Sequence, residues 1–263
     1  DMENYQTYYN CKIKINGTLN AWDYYFEPVS RFTLKEVYKS KNVIICDKRT
    51  RPGLHGFSIK DNLSNFKYFN GFQFLDARHK KITKKYIRIK QDILKEVKII
   101  QNSFKNKKIL GVCFRGADQK TLAYHPHTPT EEQMLFATNL LIKKHKFDKI
   151  YLCTEEIDNL NFYKKKFGKM LSYYDCPRTT DKVDLFNNKI DNKNKKHRYI
   201  VGRGNLIDML VLSKTDHLLF ALSNIPAAAI FFSSKKLPGS IIDNGLKGNI
   251  FISQFSWYVR NRL

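Results

Sequence analysis

Cysteine is scarce in this chain, and its few cysteines are not arranged in pairs. There are five among 263 residues, and no two of them form a CxxC motif. The odd number and the spacing exclude a disulfide-stapled secreted scaffold and argue against a zinc ribbon. We therefore expect free thiols and a cytoplasmic location.

Long hydrophobic runs are also missing. The longest apolar stretch, residues 217–232, is interrupted by Ser223, Asn224 and Pro226. It is shorter than the roughly 20 residues that a helix needs to span a bilayer. The chain opens with the polar DMENYQTYYN, which lacks the pattern of a signal peptide. The sequence therefore predicts no membrane-spanning segment.

Acidic residues are too few to balance the basic ones. The 24 Asp and Glu face 47 Lys and Arg, so the net charge is +23. Residues 1–106 contribute +11 and residues 107–263 contribute +12, so the excess belongs to the folded surface and not to a tail. Such a charge favours an anionic partner, such as a phosphate, a nucleotide sugar, a nucleic acid or a membrane surface. The 42% hydrophobic content excludes a disordered chain.

Common catalytic signatures do not occur. The sequence has no GxxxxGK[ST], HExxH, GxSxG or GxGxxG motif. P-loop kinases, zinc peptidases, serine hydrolases and standard dinucleotide enzymes therefore have no motif to support them. A DxD triplet, which could hold a metal–diphosphate bridge, is missing too. We predict no metal site and no cofactor.

From Lys108 onward the chain alternates between apolar strand patterns and amphipathic helix patterns. We predict strands over 108–114, 149–154, 170–175 and 217–221, with helices over 130–144, 155–168, 206–213 and 226–232. In the first of these helices, Thr130 and Gln133 resemble a capping box. The lysine-rich residues 176–202 are predicted to form a flexible loop. This alternation predicts an α/β fold with a Rossmann-type parallel sheet over 107–263.

Residues 1–106 lack that alternation. They are predicted to form a smaller, incomplete N-terminal acceptor-side domain. It would contain a short helix over 33–40, a strand over 42–47 and one long amphipathic helix over 82–104.

Polar residues follow the predicted strands, where ligands bind in a parallel sheet. Arg115 and Gly116 come directly after the first strand, so the guanidinium could meet a phosphate while the glycine permits close approach. Arg115 could equally pair with Asp118 or cap the sheet edge. Ser223 and Asn224 precede a helix and could bind an anion or simply cap that helix.

Two further residues stand out by their surroundings. Asp208 lies in an otherwise apolar helix, so its carboxylate needs a donor, such as a nucleobase or a backbone amide. His125, in the loop after Arg115, could act as a base or as a phosphate ligand. It could also be an ordinary exposed loop histidine.

Several of these segments together resemble one known family. GVCFRGADQ (residues 111–119) resembles the arginine motif of the GT-B fucosyltransferases, a group that holds the nodulation and core α1,6-fucosyltransferases and the protein O-fucosyltransferases. RGNLIDMLVLSKTDHLLFALSNIPAAA (residues 203–229) resembles their second nucleotide-sugar motif, and KIYLCTEE matches the intervening strand. The N-terminal part of the sequence, up to and including NAWDYYFEPVS, resembles the early part of the bacterial surface-polysaccharide members of this family. The chain departs from the family at Cys113 and Gly116, where the family has a histidine and a second arginine.

The resemblance implies inverting, metal-independent transfer of a fucose-like sugar from a nucleoside diphosphate, GDP being favoured, to a surface-glycan or lipid-linked glycan acceptor. Arg115, with Gly116, would bind the diphosphate, Ser223 and Asn224 would hold the β-phosphate, and Asp208 would contact the nucleotide. The family's acceptor-activating groups do not carry over, because Gln119 and Ala123 stand at their positions. We therefore nominate Asp118 and His125 as candidates for the base, with Asp118 preferred for its closeness to Arg115.

Two other classes compete with a transferase. A basic nucleic-acid-binding module would use the positive charge and the aromatic residues among lysines, as in FKYF at 66–69. No binding motif supports it, and the charge is not concentrated along the sequence, so no nucleic acid is expected. A catalytically inactive protein with the transferase fold is the third class. The positive charge also leads us to expect peripheral contact with the anionic inner face of a membrane.

Overall fold

The computed structural model describes residues 1–3, 9–42, 68–69, 83–116, 125–180, 185, 190, 193–245 and 247. Of residues 68–69 it describes the backbone alone. Most of the predicted strand 42–47 and the aromatic-basic residues 66 and 67 lie outside this set. The statements below concern the described residues.

The elements follow one another in a regular order along the chain. They are α1 (Trp22–Tyr25), α2 (Leu34–Lys39), β1 (Tyr68–Phe69), α3 (Gln91–Asn102), β2 (Ile109–Cys113), α4 (Glu131–His145), β3 (Lys149–Cys153), α5 (Ile157–Phe167), β4 (Leu171–Ser172), α6 (His197–Leu212), β5 (His217–Phe220), α7 (Asn224–Phe232) and β6 (Gly239–Ile241). None of these helices combines the length and the apolar character that crossing a bilayer requires.

The strands form one sheet in the order β1-β6-β5-β2-β3-β4. The five strands from β2 to β6 are parallel to their neighbours, and β1 pairs antiparallel with β6. Numbered along the chain from β2, the parallel strands lie in the order 3-2-1-4-5, which is that of a doubly wound nucleotide-binding sheet. The predicted α/β class and the Rossmann-type parallel sheet are confirmed.

Helices cover both faces of the sheet because the central strands are apolar on both faces. All five residues of β2 are buried, with Ile109 and Cys113 in one core and Leu110 and Val112 in the other. The first core contains α3, α6 and α7, and the second contains α4 and α5. A Cβ at Gly111 would lie 2.7–2.9 Å from side chains of the first core, so the glycine lets that layer pack closely.

The described part of residues 1–106 joins this same assembly. Tyr24 and Tyr25 belong to the core on the α6 face, and the Tyr25 hydroxyl donates to the carbonyl oxygen of Tyr199 at 3.2 Å. Residues 93 and 97 of α3 lie in that core as well. The described N-terminal residues therefore share the hydrophobic core on the α6 face of the sheet, while the division into two domains at residue 106 stays a prediction.

Several predicted helix bounds are confirmed by local interactions. Thr130 caps α4, with its side chain accepting from the backbone of Gln133 and the Gln133 side chain accepting from the backbone of Thr130. Thr33 caps α2 in the same way through Glu36. The order of charges predicted for 155–168 is seen in α5, which has Asp158 in its first turn and three lysines in its last.

Other predicted bounds are wrong. Residues 82–104 do not form one helix, because Ile89 forms an isolated β-bridge to Phe26 and Lys90 donates its backbone N–H to Tyr25, which keeps this segment extended. The predicted loop 176–202 contains the first turns of α6, so this helix begins nine residues before the predicted start at 206. Gly202 allows this part of α6 to pack against Tyr25, because a Cβ at position 202 would collide with the Tyr25 side chain. The predicted strand 170–175 is reduced to β4, and α7 begins at Asn224 instead of Pro226.

Candidate active site

The site is located by a reversal in strand order. From β2 the chain moves outward through β3 and β4, and it then returns to add β5 and β6 on the other side of β2. Cys113, the last residue of β2, is the register partner of Phe220, the last residue of β5. The described residues that follow these two strands, 114–116 and 221–223, therefore start from adjacent points at the carboxyl edge. Ligands of doubly wound sheets bind at this switch point.

Arg115 lies on the β2 side of the switch point. Its Nη2 is 3.7 Å from Oε1 of Glu155, and the two side chains are 21% and 13% exposed. Glu155 follows β3, so the strand-end acid that the sequence did not assign is the ion-pair partner of the predicted phosphate ligand. At this distance the pair is loose, and an incoming diphosphate could replace the carboxylate.

Gly116 packs against Glu156, the residue that follows Glu155. A Cβ at this position would collide with the carboxylate of Glu156, so no larger residue fits unless that side chain moves. Glu156 is buried and accepts a hydrogen bond from the Asn159 amide at 2.9 Å. The glycine therefore serves close packing between the ends of β2 and β3, and this packing brings Arg115 next to Glu155.

Ser223 lies on the β5 side, immediately before α7. Its backbone is extended, and its side chain does not cap the helix. Among the described residues, its Oγ is buried and has no hydrogen-bond partner. The alternative that Ser223 is a plain helix cap is therefore wrong. Asn224 is exposed and begins α7, so the positive end of this helix dipole and its first amide groups lie beside the serine hydroxyl.

Asp208 has an internal partner. The residue is 2% exposed, and its Oδ1 accepts a hydrogen bond from the Tyr151 hydroxyl at 2.6 Å. The donor is therefore a tyrosine of β3, which the sequence did not suggest. Burial raises the pKa of Asp208 to about 6, an effect that the Tyr151 hydrogen bond and the Arg178 charge oppose. Whether Asp208 also contacts a nucleotide stays a prediction.

The structure describes only one of the two candidates for the base. Asp118 lies outside the described residues. His125 is described and exposed, and its backbone carbonyl accepts from the N–H of Lys247 at 3.0 Å. Two residues on, the backbone N–H of His127 donates to Gly245 at 2.9 Å. The segment after β6 thus fixes the position of His125 at the carboxyl edge.

A buried arginine at this edge was missed by sequence reasoning. The side chain of Arg178 is 3% exposed, and it donates to the carbonyl oxygens of Tyr174 and Cys176 at 2.6 and 3.0 Å. The adjacent Thr179 forms a parallel bridge with Glu156. The segment after β4 is thus attached to the end of β3. The lysines that follow favour a flexible loop in the sequence, and a single arginine within that loop gives no signal of a structural role.

The chemistry that this arrangement permits follows from its charges. Arg115 follows β2, and Ser223 and the N-terminus of α7 follow the adjacent β5; a guanidinium, a hydroxyl and a helix N-terminus are all groups that bind phosphate oxygens. Carboxylates flank them on the β3 side. Groups of these kinds can bind a diphosphate and stabilise negative charge that develops on it.

Comparisons with known proteins give the following results. No protein-family model matches the sequence, and no curated protein matches it. The fold is similar to that of NodZ alpha-1,6-fucosyltransferase co-crystallized with GDP, with 16% identity and a TM-score of 0.39 over 57% of this chain and 44% of that one. Fucosyltransferase NodZ from Bradyrhizobium gives the same values. POFUT1 in complex with GDP-fucose has 10% identity and a TM-score of 0.37, over 64% of this chain and 50% of that one.

This chain therefore spans about half the length of these solved structures. They are proteins of the kind that the sequence resemblance named.

Proposed function

We propose that this protein is a glycosyltransferase that binds a nucleoside diphosphate sugar at the β2/β5 switch point. One observation carries the proposal: the fold brings the predicted phosphate ligands Arg115 and Ser223 to adjacent strand ends, and the Ser223 hydroxyl is buried there with no partner among the described residues. A buried hydroxyl without a partner has a free-energy cost, which a bound phosphate would remove.

The proposed reaction is an inverting, metal-independent transfer. The bond between the anomeric carbon and the β-phosphate oxygen breaks, and the acceptor oxygen forms a new bond to that carbon from the opposite face. The bonding electrons leave with the diphosphate, whose added charge would be stabilised by Arg115 and the α7 N-terminus. The acceptor proton passes to a base. Arg115 would exchange Glu155 for the phosphate as the donor binds.

Asp118 remains the preferred base, with His125 as the alternative. A base must approach the acceptor hydroxyl near the anomeric carbon without being consumed by the diphosphate. If Asp118 is the base, Asp118→Asn should abolish transfer and preserve donor affinity, whereas His125→Ala should keep a measurable rate. The reverse pattern would assign the role to His125.

The donor and acceptor are proposed from the sequence resemblance. The favoured donor carries a fucose-like sugar on GDP, with Asp208 contacting the nucleotide. Asp208→Asn should then weaken nucleotide binding, because the amide has a different pattern of donors and acceptors. The acceptor would be a surface glycan or a lipid-linked glycan, as for enzymes of capsule or lipopolysaccharide synthesis. The proposed location is the cytoplasm, at the inner face of the membrane.

The decisive experiment is a mass-spectrometric screen for turnover of nucleotide sugars by the purified full-length protein. Hydrolysis or transfer with one donor, at the same rate in excess EDTA, would support the proposal. Loss of activity in EDTA with recovery in Mg²⁺ or Mn²⁺ would overturn the metal-independent mechanism. Selective nucleotide binding without turnover would indicate an inactive protein with the transferase fold. RNA or DNA binding without nucleotide selectivity would indicate a nucleic-acid-binding module.

A further inference from the structure

Exposed apolar side chains are concentrated in one short segment far from the sheet in sequence. Residues 28–42, called the 28–42 segment below, contain four of the eight large hydrophobic residues that are exposed in the described chain. These are Val29 at 47%, Phe32 at 57%, Val37 at 44% and Tyr38 at 61%. Scattered exposed apolar residues need no explanation, but four within ten residues of the chain make a candidate contact surface.

The helix in this segment is maintained by local interactions. No residue of α2 is buried, and its capping box joins Thr33 to Glu36. Val37 and Tyr38 lie three and four residues after Leu34, so these three share one face. Lys35 and Lys39 share a different face. The segment is thus a small amphipathic element with an apolar face that the described protein leaves exposed.

The charge of the 28–42 segment is almost entirely positive. It contains Arg31, Lys35, Lys39 and Lys41, all exposed. Its one acidic residue is Glu36, whose Oε2 accepts from the Thr33 N–H at 2.8 Å and from the Thr33 hydroxyl at 2.7 Å. The carboxylate is therefore engaged in the cap, and the four cations dominate the surface around the apolar side chains.

The segment leaves the body of the protein at the same end of the sheet as the candidate site. Residues 25–27 pair with residues 88–90, directly before α3. The chain passes from α3 into the start of β2, so α3 ends at the amino edge and its first turn points toward the carboxyl edge. An ion pair of 3.0 Å between Asp92 in that turn and Arg203 in the first half of α6 is consistent with this direction.

We propose that the 28–42 segment docks the protein on an anionic lipid bilayer, with the candidate active site facing the same surface. Phe32, Val37 and Tyr38 would enter the interfacial region while the four cations contact lipid headgroups, which is how interfacial amphipathic helices bind. A second copy of this chain is a poor partner, because the like charges of two such segments would repel. Nucleic acid would not explain the exposed valines. The inference concerns binding alone and does not depend on sugar transfer.

Co-sedimentation with vesicles of phosphatidylcholine alone, or mixed with phosphatidylglycerol, tests the proposal. The full chain should bind the mixed vesicles and bind phosphatidylcholine weakly. Lys35→Gln/Lys39→Gln should reduce that affinity about 30-fold, since each lysine near an anionic surface contributes roughly fivefold. Phe32→Ser/Tyr38→Ser should reduce it at least about tenfold through the loss of apolar insertion.

Matched controls come from α4, which presents Phe136 at 66% and Leu140 at 47% exposure next to Lys143 and Lys144. Phe136→Ser/Leu140→Ser and Lys143→Gln/Lys144→Gln should retain vesicle binding within about threefold of the parent. The proposal is overturned if the parent does not bind mixed vesicles. It is also overturned if the α4 variants lose as much affinity as the 28–42 variants, or if the 28–42 variants bind vesicles like the parent and instead lose self-association or RNA binding.

Discussion

The two edges of the parallel sheet differ in how their polar groups are satisfied. At the amino edge, Asp216 accepts from the backbone N–H of Ile109 and from Lys235, each at 2.8 Å. In the same region the buried His217 ring shares a hydrogen bond of 2.9 Å with the Ser240 hydroxyl. These hydrogen bonds and the ion pair connect the starts of neighbouring strands, so these polar groups have partners within the protein.

At the carboxyl edge, the hydrogen bonding of the polar groups is less complete. Ser223 Oγ is buried with no partner among the described residues, and Arg115 is 3.7 Å from the carboxylate of Glu155. Both edges carry charged and polar residues, so polarity alone does not distinguish function from structure. If the proposed site is correct, the functional edge is the one whose polar groups would gain interactions when a ligand binds.

The largest effect is expected from Arg115→Ala. Removing the cation that would face the diphosphate should lower turnover by about two to four orders of magnitude, which corresponds to roughly 3–5 kcal/mol in the transition state. The fold should remain intact, as judged by circular dichroism. Lys235→Ala is the control, because Lys235 pairs with Asp216 at the amino edge. Turnover of the Arg115 variant within about threefold of the parent would remove Arg115 from the site.

At the opposite edge, Asp216→Ala should lower stability and leave nucleotide affinity unchanged. The backbone N–H of the buried Ile109 would lose its acceptor, at a cost of about 1–3 kcal/mol in the free energy of unfolding. Urea unfolding measures this cost. The control is Asp148→Ala, whose exposed carboxylate accepts from the backbone of Lys108, and which should cost less. Equal costs would contradict the assigned role of burial.

Stability should also fall in mild acid through His217. Burial and the neighbouring His145 lower the pKa of His217 to about 4, so the folded state favours the neutral ring. Its contribution is fully present above the unfolded pKa of about 6.5 and is lost as the pH falls toward 4. We expect His217→Asn to reduce the loss of unfolding free energy between pH 7.5 and 4.5 by about 1–2 kcal/mol. An unchanged pH dependence would show that His217 does not titrate in this way.

The smallest effect is expected from Ser223→Ala. It should weaken nucleotide affinity roughly tenfold, or about 1.4 kcal/mol, and should not lower stability, because the hydroxyl makes no hydrogen bond within the described residues. Ser213→Ala is the control, since the buried Ser213 hydroxyl donates to Leu210 at 2.7 Å. The control should lose stability and keep its affinity. A stability loss in Ser223→Ala equal to that of the control would show that Ser223 is structural.

The strands could be predicted because local sequence determines them. Continuous apolar runs identify β2, β3 and β5, since strands buried on both faces have no polar alternation. The Thr130 cap was visible for a similar reason, because a capping box is a local pattern.

What the sequence did not reveal depends on contacts between distant residues. The start of α6 lies in a lysine-rich region and is stabilised by packing of Gly202 against Tyr25. The pairing of Arg115 with Glu155 requires β2 and β3 to be neighbours, and the Tyr151 partner of Asp208 requires α6 to lie over β3. Local patterns contain no information on such pairs, so the members of the site could be nominated from the sequence but their partners could not.

The central claim is tested most directly by calorimetric titration of GDP into the parent protein, Ser223→Ala and Asp216→Ala. If the carboxyl edge is the ligand site, the parent binds GDP, Ser223→Ala binds about tenfold more weakly, and Asp216→Ala binds like the parent once its folded fraction is taken into account. Absence of binding to GDP and to every other nucleoside diphosphate, or an equal loss of affinity in both variants, would contradict the claim.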